Sequence, residues 1–241
     1  MWTDVIDLRD FYAGGLGQVA RRMIRRRIRL IWPDVTGDRV AGLGFATPYL
    51  RQFKTEAERV FVIMPAAQGV LPWPEGEPGL VALADETELP LPDRSVDRLL
   101  MIHTLESAEQ VRALMRELWR VLADGGRLLV VVPNRRGIWA RLERTPFGAG
   151  RPYSSTQLDF LLREAMFTPL RNEPALFVPP SWSRMLMGSA PAWEKIGERW
   201  FPTFAGVLLV EAAKRIYAAP LDRLPAVRQQ RTLSLPQGFR R

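Results

Sequence analysis

Two glycines end a short apolar stretch in the segment Gly42-Leu43-Gly44-Phe45-Ala46. Because glycine has no Cβ, a turn of this kind lets the backbone approach a ligand, and the amide groups that follow can point towards it. Glycine pairs after strands are also ordinary turns, so the spacing alone is a weak signal. The segment is a candidate ligand loop that other residues must support.

An acid pair, Asp85 and Glu86, follows a later apolar stretch, and the only histidine of the chain, His103, ends the next one. Carboxylates just past a strand can accept hydrogen bonds from a ligand at that edge of a sheet. Asp85 can equally cap the turn after its strand. A lone histidine at a strand end is more often a hydrogen-bonded structural residue than a general base.

Residue counts exclude several kinds of chemistry. The chain of 241 residues contains no cysteine, which rules out disulfides, thiolate nucleophiles and cysteine metal sites. One histidine cannot build a histidine-rich metal site, and it argues against a Ser-His-Asp triad. The sequence therefore predicts no metal site, and it marks no residue as catalytic.

Apolar stretches alternate with segments of helical periodicity, as expected for a mostly parallel sheet covered on both faces. Helices are predicted at 107–122 and 157–165. Seven strands are predicted, at 38–44, 59–64, 79–84, 96–103, 127–134, 175–180 and 205–217, with some helical character at the end of the last one.

The N-terminal region is predicted to contain a short helix and a loop within 1–17, broken by GGLG, and then a helix at 19–31 that ends before Pro33. Six arginines lie in RRMIRRRIR, and the formal net charge of the chain is +8. An arginine-rich face opposite an apolar face fits a helix on an anionic membrane surface. It also fits an ordinary solvated helix packed on a sheet, the more common case.

The segment ALADETELPLPDRSVDRLLMIHTLE (82–106), followed by RVLADGG (120–126), resembles class I S-adenosylmethionine-dependent methyltransferases. The likeness is to the branch with D-x-x-x-LPF-x-D-x-SFD followed by RVL-x-PGG, and it covers about residues 38–134. It implies an α/β fold with a doubly wound, Rossmann-like, mostly parallel seven-stranded sheet and an antiparallel last strand. It also implies S-adenosylmethionine as cofactor.

The resemblance assigns site residues by position. The glycines match the loop under the methionine part of the cofactor, Asp85 matches the acid that binds the adenine amino group, and Glu86 lies beside the ring. The residues expected at the cofactor are Gly42, Gly44, Phe45, Met64, Asp85, Glu86, Ile102 and His103. Tyr153 and Trp182 are expected to contact the substrate.

Three positions depart from the family pattern. Val40 replaces an acid before the glycines, Ala46 replaces a third glycine, and Met64 ends the second strand where an acid usually binds the ribose hydroxyls. Because a charged hydrogen bond contributes about 1.5–3 kcal/mol, losing that acid should weaken cofactor binding about tenfold or more. The motif is degenerate.

We expect one methyltransferase-like domain over 1–217, with an N-terminal helical segment at 1–32 and a helical cap insertion at 181–203, and a basic, flexible tail at 218–241. The predicted function is methylation of a small or lipid-like acceptor in the cytoplasm, and helix 19–31 is a candidate contact with an anionic membrane surface. The alternative is an inactive methyltransferase-like protein that serves as a binding or regulatory partner. The sequence argues against nucleic acid as a substrate, because it contains no base-methylation signature.

Overall fold

A computed structural model describes residues 2–181, 183 and 188–215. Seven strands form one sheet in the order β3-β2-β1-β4-β5-β7-β6, and only β7 runs antiparallel to its neighbours. The predicted fold class is confirmed. The strands are β1 Arg39–Gly44, β2 Arg59–Pro65, β3 Val81–Ala84, β4 Val96–Ile102, β5 Leu122–Pro133, β6 Phe167–Ala175 and β7 Val207–Lys214.

Helices cover both faces of the sheet because alternate strand residues are apolar on each side. The first three helices pack on one face, and α4 and α5 pack on the other. The helices of the described residues are α1 Val5–Ala13, α2 Gly15–Ile31, α3 Thr47–Leu50, α4 Val111–Val121, α5 Ser155–Glu164 and α6 Ala190–Trp200. The last of these lies within the segment that we expected to form a cap.

The GGLG segment separates the two helices by fewer residues than predicted. Only Gly14 separates α1 from α2, and α2 begins at Gly15 rather than residue 19. A Cβ on Gly17 would lie 1.9 Å from the carbonyl oxygen of Phe11, so this glycine lets the two helices approach closely. The apolar face predicted for this helix, from Ala20 to Ile31, is buried in the core.

Two strand predictions need correction. The sixth strand is Phe167–Ala175 and not 175–180, and its place at the edge of the sheet tolerates Pro169 and Pro174. The apolar segment after it turns at Leu176, which has a φ of 67°. The last strand shows no helical character up to Lys214, and its continuation lies outside the described residues.

The predicted turn ADGG is part of β5, which begins at Leu122 directly after α4. The pairing of β5 with β4 skips from Leu122 to Arg127, so these four residues form an irregular excursion in the ladder. Helix α4 begins at Val111, four residues later than predicted.

Candidate functional site

The strand order reverses between β1 and β4, which lie side by side in the middle of the sheet. In open α/β sheets, ligands bind beyond the carboxyl ends of the strands at such a reversal. Here Gly44 pairs with Ile102, and His103 follows directly. The structure therefore brings four predicted residues, Gly44, Phe45, Ile102 and His103, to the expected position.

Packing within the protein accounts for both glycines. Gly44 has a φ of +83°, and a Cβ there would lie 2.1 Å from Thr104 Oγ1 and 2.2 Å from the carbonyl oxygen of Ile102. Gly42 lies inside β1, and its Cβ would lie 2.6 Å from Cβ of Ala46 at the start of α3. Each glycine therefore permits a close approach of the chain to itself, whatever else it contacts.

A chain of buried hydrogen bonds links three rings at this edge. The hydroxyl of Tyr49 donates to the hydroxyl oxygen of Tyr12 at 2.8 Å, and that of Tyr12 lies 2.7 Å from Nε2 of His103. The tautomer of His103 sets which of the two groups donates in the bond between Tyr12 and Nε2. Nδ1 faces Glu106 Oε1 at 3.5 Å.

The backbone of His103 is held from the opposite side. Its φ of 55° is unusual for a residue other than glycine, and its carbonyl oxygen accepts a hydrogen bond from Gln68 Nε2 at 2.8 Å. Gln68 belongs to the loop after β2. The ends of β2 and β4 are therefore joined through one side-chain amide.

Aromatic rings fill the space in front of these strand ends. The ring of Tyr12 is stacked on that of Phe45, with 5.7 Å between centroids and 14° between planes. The Phe147 ring lies 5.1 Å from the His103 ring. Phe45 is 5% exposed and Met64 is fully buried, so both contribute to the core.

Burial raises the pKa of Tyr12 and Tyr49, the two tyrosines in this series of hydrogen bonds. The pKa of Tyr12 lies well above its ordinary value, first because of burial and then because of neighbouring Tyr49. Burial also raises the pKa of Tyr49. Both phenols therefore keep their protons near neutral pH, and the hydrogen bonds that depend on those protons persist.

Two buried acceptors at the same edge have no hydrogen-bond partner among the described residues: Gln68 Oε1 and Glu106 Oε2. Gln68 is 1% exposed and Glu106 is 4% exposed. An unpaired buried acceptor costs about 1–3 kcal/mol, so each such group calls for a partner, such as an ordered water, an ion or a donor of a ligand. Both side chains lie next to His103, since Gln68 contacts its carbonyl and Glu106 its ring.

The acid pair follows β3, which is separated from β4 by the two strands β2 and β1. Asp85 is exposed, and its Oδ1 accepts hydrogen bonds from Thr87 N at 2.7 Å and Thr87 Oγ1 at 2.6 Å. These bonds hold the pKa of Asp85 below its ordinary value. Glu86 is half-buried. Asp85 thus caps the turn after β3, and its second oxygen remains available for a ligand contact.

Of the two expected substrate residues, Tyr153 lies in the described part of the chain and Trp182 lies outside it. Tyr153 follows β5, where its amide donates to the carbonyl oxygen of Pro133 at 3.0 Å. Its side chain is half-buried, and burial raises its pKa, with a smaller contribution from Glu106. Its role in substrate contact stays a prediction, as do the roles of the cofactor residues.

Four residues at this site were missed by the sequence reasoning: Tyr12, Tyr49, Gln68 and Glu106. The buried residues Val5, Leu8 and Tyr12 follow helical spacing, which would have shown that the first helix packs on the domain. Nothing in that spacing shows where it packs. Polar residues just past the second and fourth strands were the only signal for Gln68 and Glu106.

Arg120, the first residue of the RVLADGG motif, contacts the LPLPD motif and thereby connects the two. Its guanidinium donates to the carbonyl oxygens of Leu89 and Leu91 in the segment LPLPD, at 3.1 and 2.8 Å. It also pairs with Glu117 and Asp93, both at 2.6 Å. The arginine holds the connection between β3 and β4 against α4, so these two motifs have a structural role.

The outward face of α2 is strongly basic. Arg21, Arg22, Arg25, Arg26 and Arg29 line a groove of about 420 Å³ together with Gln18 and Gln52. Arg29 pairs with Glu56 at 2.7 Å. Within the described residues, no carboxylate lies within 4.0 Å of the charged nitrogens of the other four.

Two kinds of feature are absent from the described part of the chain. No helix there is long and apolar enough to cross a membrane. The same residues contain no group of three or more acidic or histidine side chains that could hold a metal ion.

Residues 39–130 match the family model described as a methyltransferase domain. An uncharacterized protein of Mycobacterium tuberculosis, Rv2003c, is 31% identical over 112 residues, which are 44% of this chain and 39% of that protein. The chain therefore matches about two fifths of the length of this curated relative. The segment 39–130, which matches the family model, contains β1 to β4, α4 and most of β5.

Solved structures share the fold over most of the chain. A possible histamine N-methyltransferase of Thermotoga maritima has a TM-score of 0.63 at 18% identity, covering 88% of this chain and 96% of that one. The 1,6-didemethyltoxoflavin-N1-methyltransferase of Burkholderia thailandensis, solved with 1,6-didemethyltoxoflavin and S-adenosylhomocysteine, has a TM-score of 0.53 at 15% identity, with coverages of 86% and 82%. The resemblance to class I S-adenosylmethionine-dependent methyltransferases is confirmed.

The edge between β1 and β4 fits the cofactor of these relatives in chemistry but not in space. Gln68 and Glu106 offer unpaired buried acceptors, and S-adenosylmethionine carries hydroxyl and ammonium donors. The rings of Tyr12 and Phe45 fill the same place. In this structure α1 covers the edge, through the contacts of Tyr12 with His103 and of Val5 with Gln68.

Proposed function

We propose that the protein is an S-adenosylmethionine-dependent methyltransferase that acts on a small or lipid-like acceptor. The observation that carries the proposal is the pair of unpaired buried acceptors, Gln68 and Glu106, at the switch point of a methyltransferase fold. Donor-bearing groups of the cofactor satisfy them. The match of residues 39–130 to a methyltransferase domain supports the same assignment.

Within this proposal, the chain's own residues bind and orient, and none of them needs to act as a base unless the acceptor must lose a proton. The sulfonium supplies an activated methyl group, so alignment of the acceptor accounts for much of the rate. Asp85 binds at the adenine end through the oxygen that Thr87 leaves free. Tyr153 lies on the acceptor side, next to the end of β5.

Calorimetric titration with S-adenosylmethionine tests the assignment. Asp85→Ala should weaken binding about ten- to a hundredfold, because a hydrogen bond to a carboxylate contributes about 1.5–3 kcal/mol. Asp34→Ala is a matched control, since Asp34 also caps a turn by accepting from the amide of a threonine two residues on, at 2.9 Å. Equal affinity of the two variants for the cofactor would refute the role of Asp85.

A second candidate function is favoured by the closed edge itself. A methyltransferase-like protein that does not transfer methyl groups and acts as a binding partner would keep Tyr12 in place permanently. The apolar residues Val40 and Met64, both fully buried, occupy positions where the family usually has acids. Absence of cofactor binding at millimolar concentration would favour this second function.

We further propose that the basic face of α2 holds the protein at an anionic membrane surface on the cytoplasmic side. Four arginines that have no carboxylate partner among the described residues each contribute about 1 kcal/mol near such a surface. The apolar face of α2 is buried against the sheet and cannot enter a bilayer. The attraction is therefore electrostatic, and it should disappear at high salt.

A further inference from the structure

Helix α1 occupies the place that a ligand at the switch point needs. Its last turn brings Tyr12 to His103 at the end of β4, and its first residue, Val5, donates its amide to the carbonyl oxygen of Gln68 at 2.9 Å. The helix therefore runs across the ends of β2, β1 and β4. Buried side chains of Val5, Leu8 and Tyr12 hold it there.

The attachment of α1 is narrow compared with that of α2. It has nine residues, three of them buried, whereas α2 has seventeen residues, eight of them buried. Helices this short are held by packing and not by their own propensity. Detaching α1 consequently costs far less apolar burial than detaching any central part of the fold.

Space and a hinge are available for such a movement. A cavity of about 490 Å³ separates α1 from the segment 143–149, and its walls include Asp7, Asp10 and Phe11. Gly14 and Gly15 join α1 to α2, and Gly14 already has an extended conformation between the two helices. Two successive glycines allow a change of direction at low steric cost.

We propose that α1 is a latch that closes the cofactor edge and opens when the cofactor binds. The inference rests on the proposed function. In the closed form, Tyr12 satisfies His103 but leaves the acceptors of Gln68 and Glu106 unpaired. In the open form, donors of the adenosyl cofactor reach these acceptors, and Tyr12 with Phe11 moves towards the cavity. Ligand binding and α1 docking are mutually exclusive.

Competition of this kind lowers the apparent affinity by the fraction of molecules that are open. Weakening the latch should therefore tighten binding. Tyr12→Phe removes the hydroxyl that bonds to Nε2 of His103 and accepts from Tyr49. Asp4→Ala removes the N-cap of α1, where Asp4 Oδ1 accepts from the amide of Ile6 at 2.7 Å, and it changes only an exposed position.

The experiment combines calorimetry with S-adenosylhomocysteine and amide hydrogen exchange of the full chain. Both variants should bind about three- to tenfold more tightly than the wild type, as expected for the loss of one or two weak contacts. Asp34→Ala, which removes an equivalent exposed cap far from the edge, should leave the affinity unchanged. In the wild type, ligand should increase exchange in residues 5–13 while decreasing it around 65–69 and 103–107.

Two results would overturn the latch. Equal affinity of all four proteins, with residues 5–13 still protected in the complex, removes the latch and leaves the methyltransferase assignment intact. Failure of all four to bind, with Asp4→Ala folded and its α1 exchanging faster, removes both. Asp4→Ala keeps the test decisive if Tyr12→Phe does not fold.

Discussion

The hydroxyl oxygen of Tyr12 lies 2.7 Å from Nε2 of His103, although 91 residues separate the two along the chain. This contact ties the first helix to the residue that follows β4, at the point where the sheet changes direction. It lies within an array of buried rings, where Tyr49 also bonds to Tyr12 and Glu106 faces the other nitrogen of His103. Its strength decides whether the edge of the sheet is open or closed.

Alkaline titration should detect this buried array. Three of the four tyrosines lie in the described residues, and the pKa of each is raised, first by burial. Absorbance at about 295 nm should therefore report at most one ionised phenol in the folded protein up to about pH 11, since an ordinary phenol ionises near 10. Reversible ionisation of two or more phenols with unchanged circular dichroism would contradict the burial.

The same shift has a defined consequence for stability. Because the folded pKa of Tyr12 and Tyr49 exceeds the unfolded value of about 10, their contribution is complete below that pH and falls as the pH rises above it. Tyr49→Phe should make the alkaline decline of the free energy of unfolding shallower.

Substitution of Gly44 by alanine should destabilise the fold more than substitution of Gly37. Both glycines have positive φ, +83° and +77°, but only Gly44 has atoms within 4 Å of the added Cβ. We expect a loss of about 1 kcal/mol for Gly37→Ala and at least about 3 kcal/mol for Gly44→Ala in urea unfolding. Equal losses would show that the end of β1 can relax away from Thr104.

Replacement of Arg120 by lysine should lower stability, because an ammonium group cannot reproduce the fork that reaches two carboxylates and two carbonyl oxygens. About a third of this side chain is exposed, so we expect a loss of about 1–2 kcal/mol. Arg112→Lys is the control. Arg112 forms a single ion pair with Glu164, and its side chain is 83% exposed. The change in the free energy of unfolding should therefore stay within about 0.5 kcal/mol.

Charge reversal on α2 should abolish sedimentation with phosphatidylserine vesicles at low salt. The double variant Arg22→Glu and Arg25→Glu changes the exposed basic face without touching the core. Arg116→Glu with Arg163→Glu changes the net charge equally, on the opposite face of the sheet. Equal loss of vesicle binding in both double variants would attribute it to net charge and not to α2.

The sheet was largely predictable because apolar strands, helical periodicity and the loop motifs agreed with one another. The error at β6 has a physical origin, since prolines forbid a central strand but not an edge strand, and sequence alone does not say which strand is at the edge. The late start of α4 reflects the usual uncertainty of element boundaries.

The site was predictable only as far as the motif reached. Gly44 and Ile102 lie together because they pair at the ends of β1 and β4, and His103 follows Ile102 directly. Tyr12 comes from a segment outside the motif, and its approach to His103 depends on how α1 packs, which no local pattern encodes. The closed state of the edge could therefore not be foreseen.

The two prolines of β6 affect how the molecule behaves at high concentration. This strand ends the sheet, and proline has no amide hydrogen to offer an incoming chain. At the opposite end, β3 spans only four residues, too few to seed extended pairing. Neither edge strand of the described sheet favours pairing with a strand of another molecule, so this fold disfavours fibrous association.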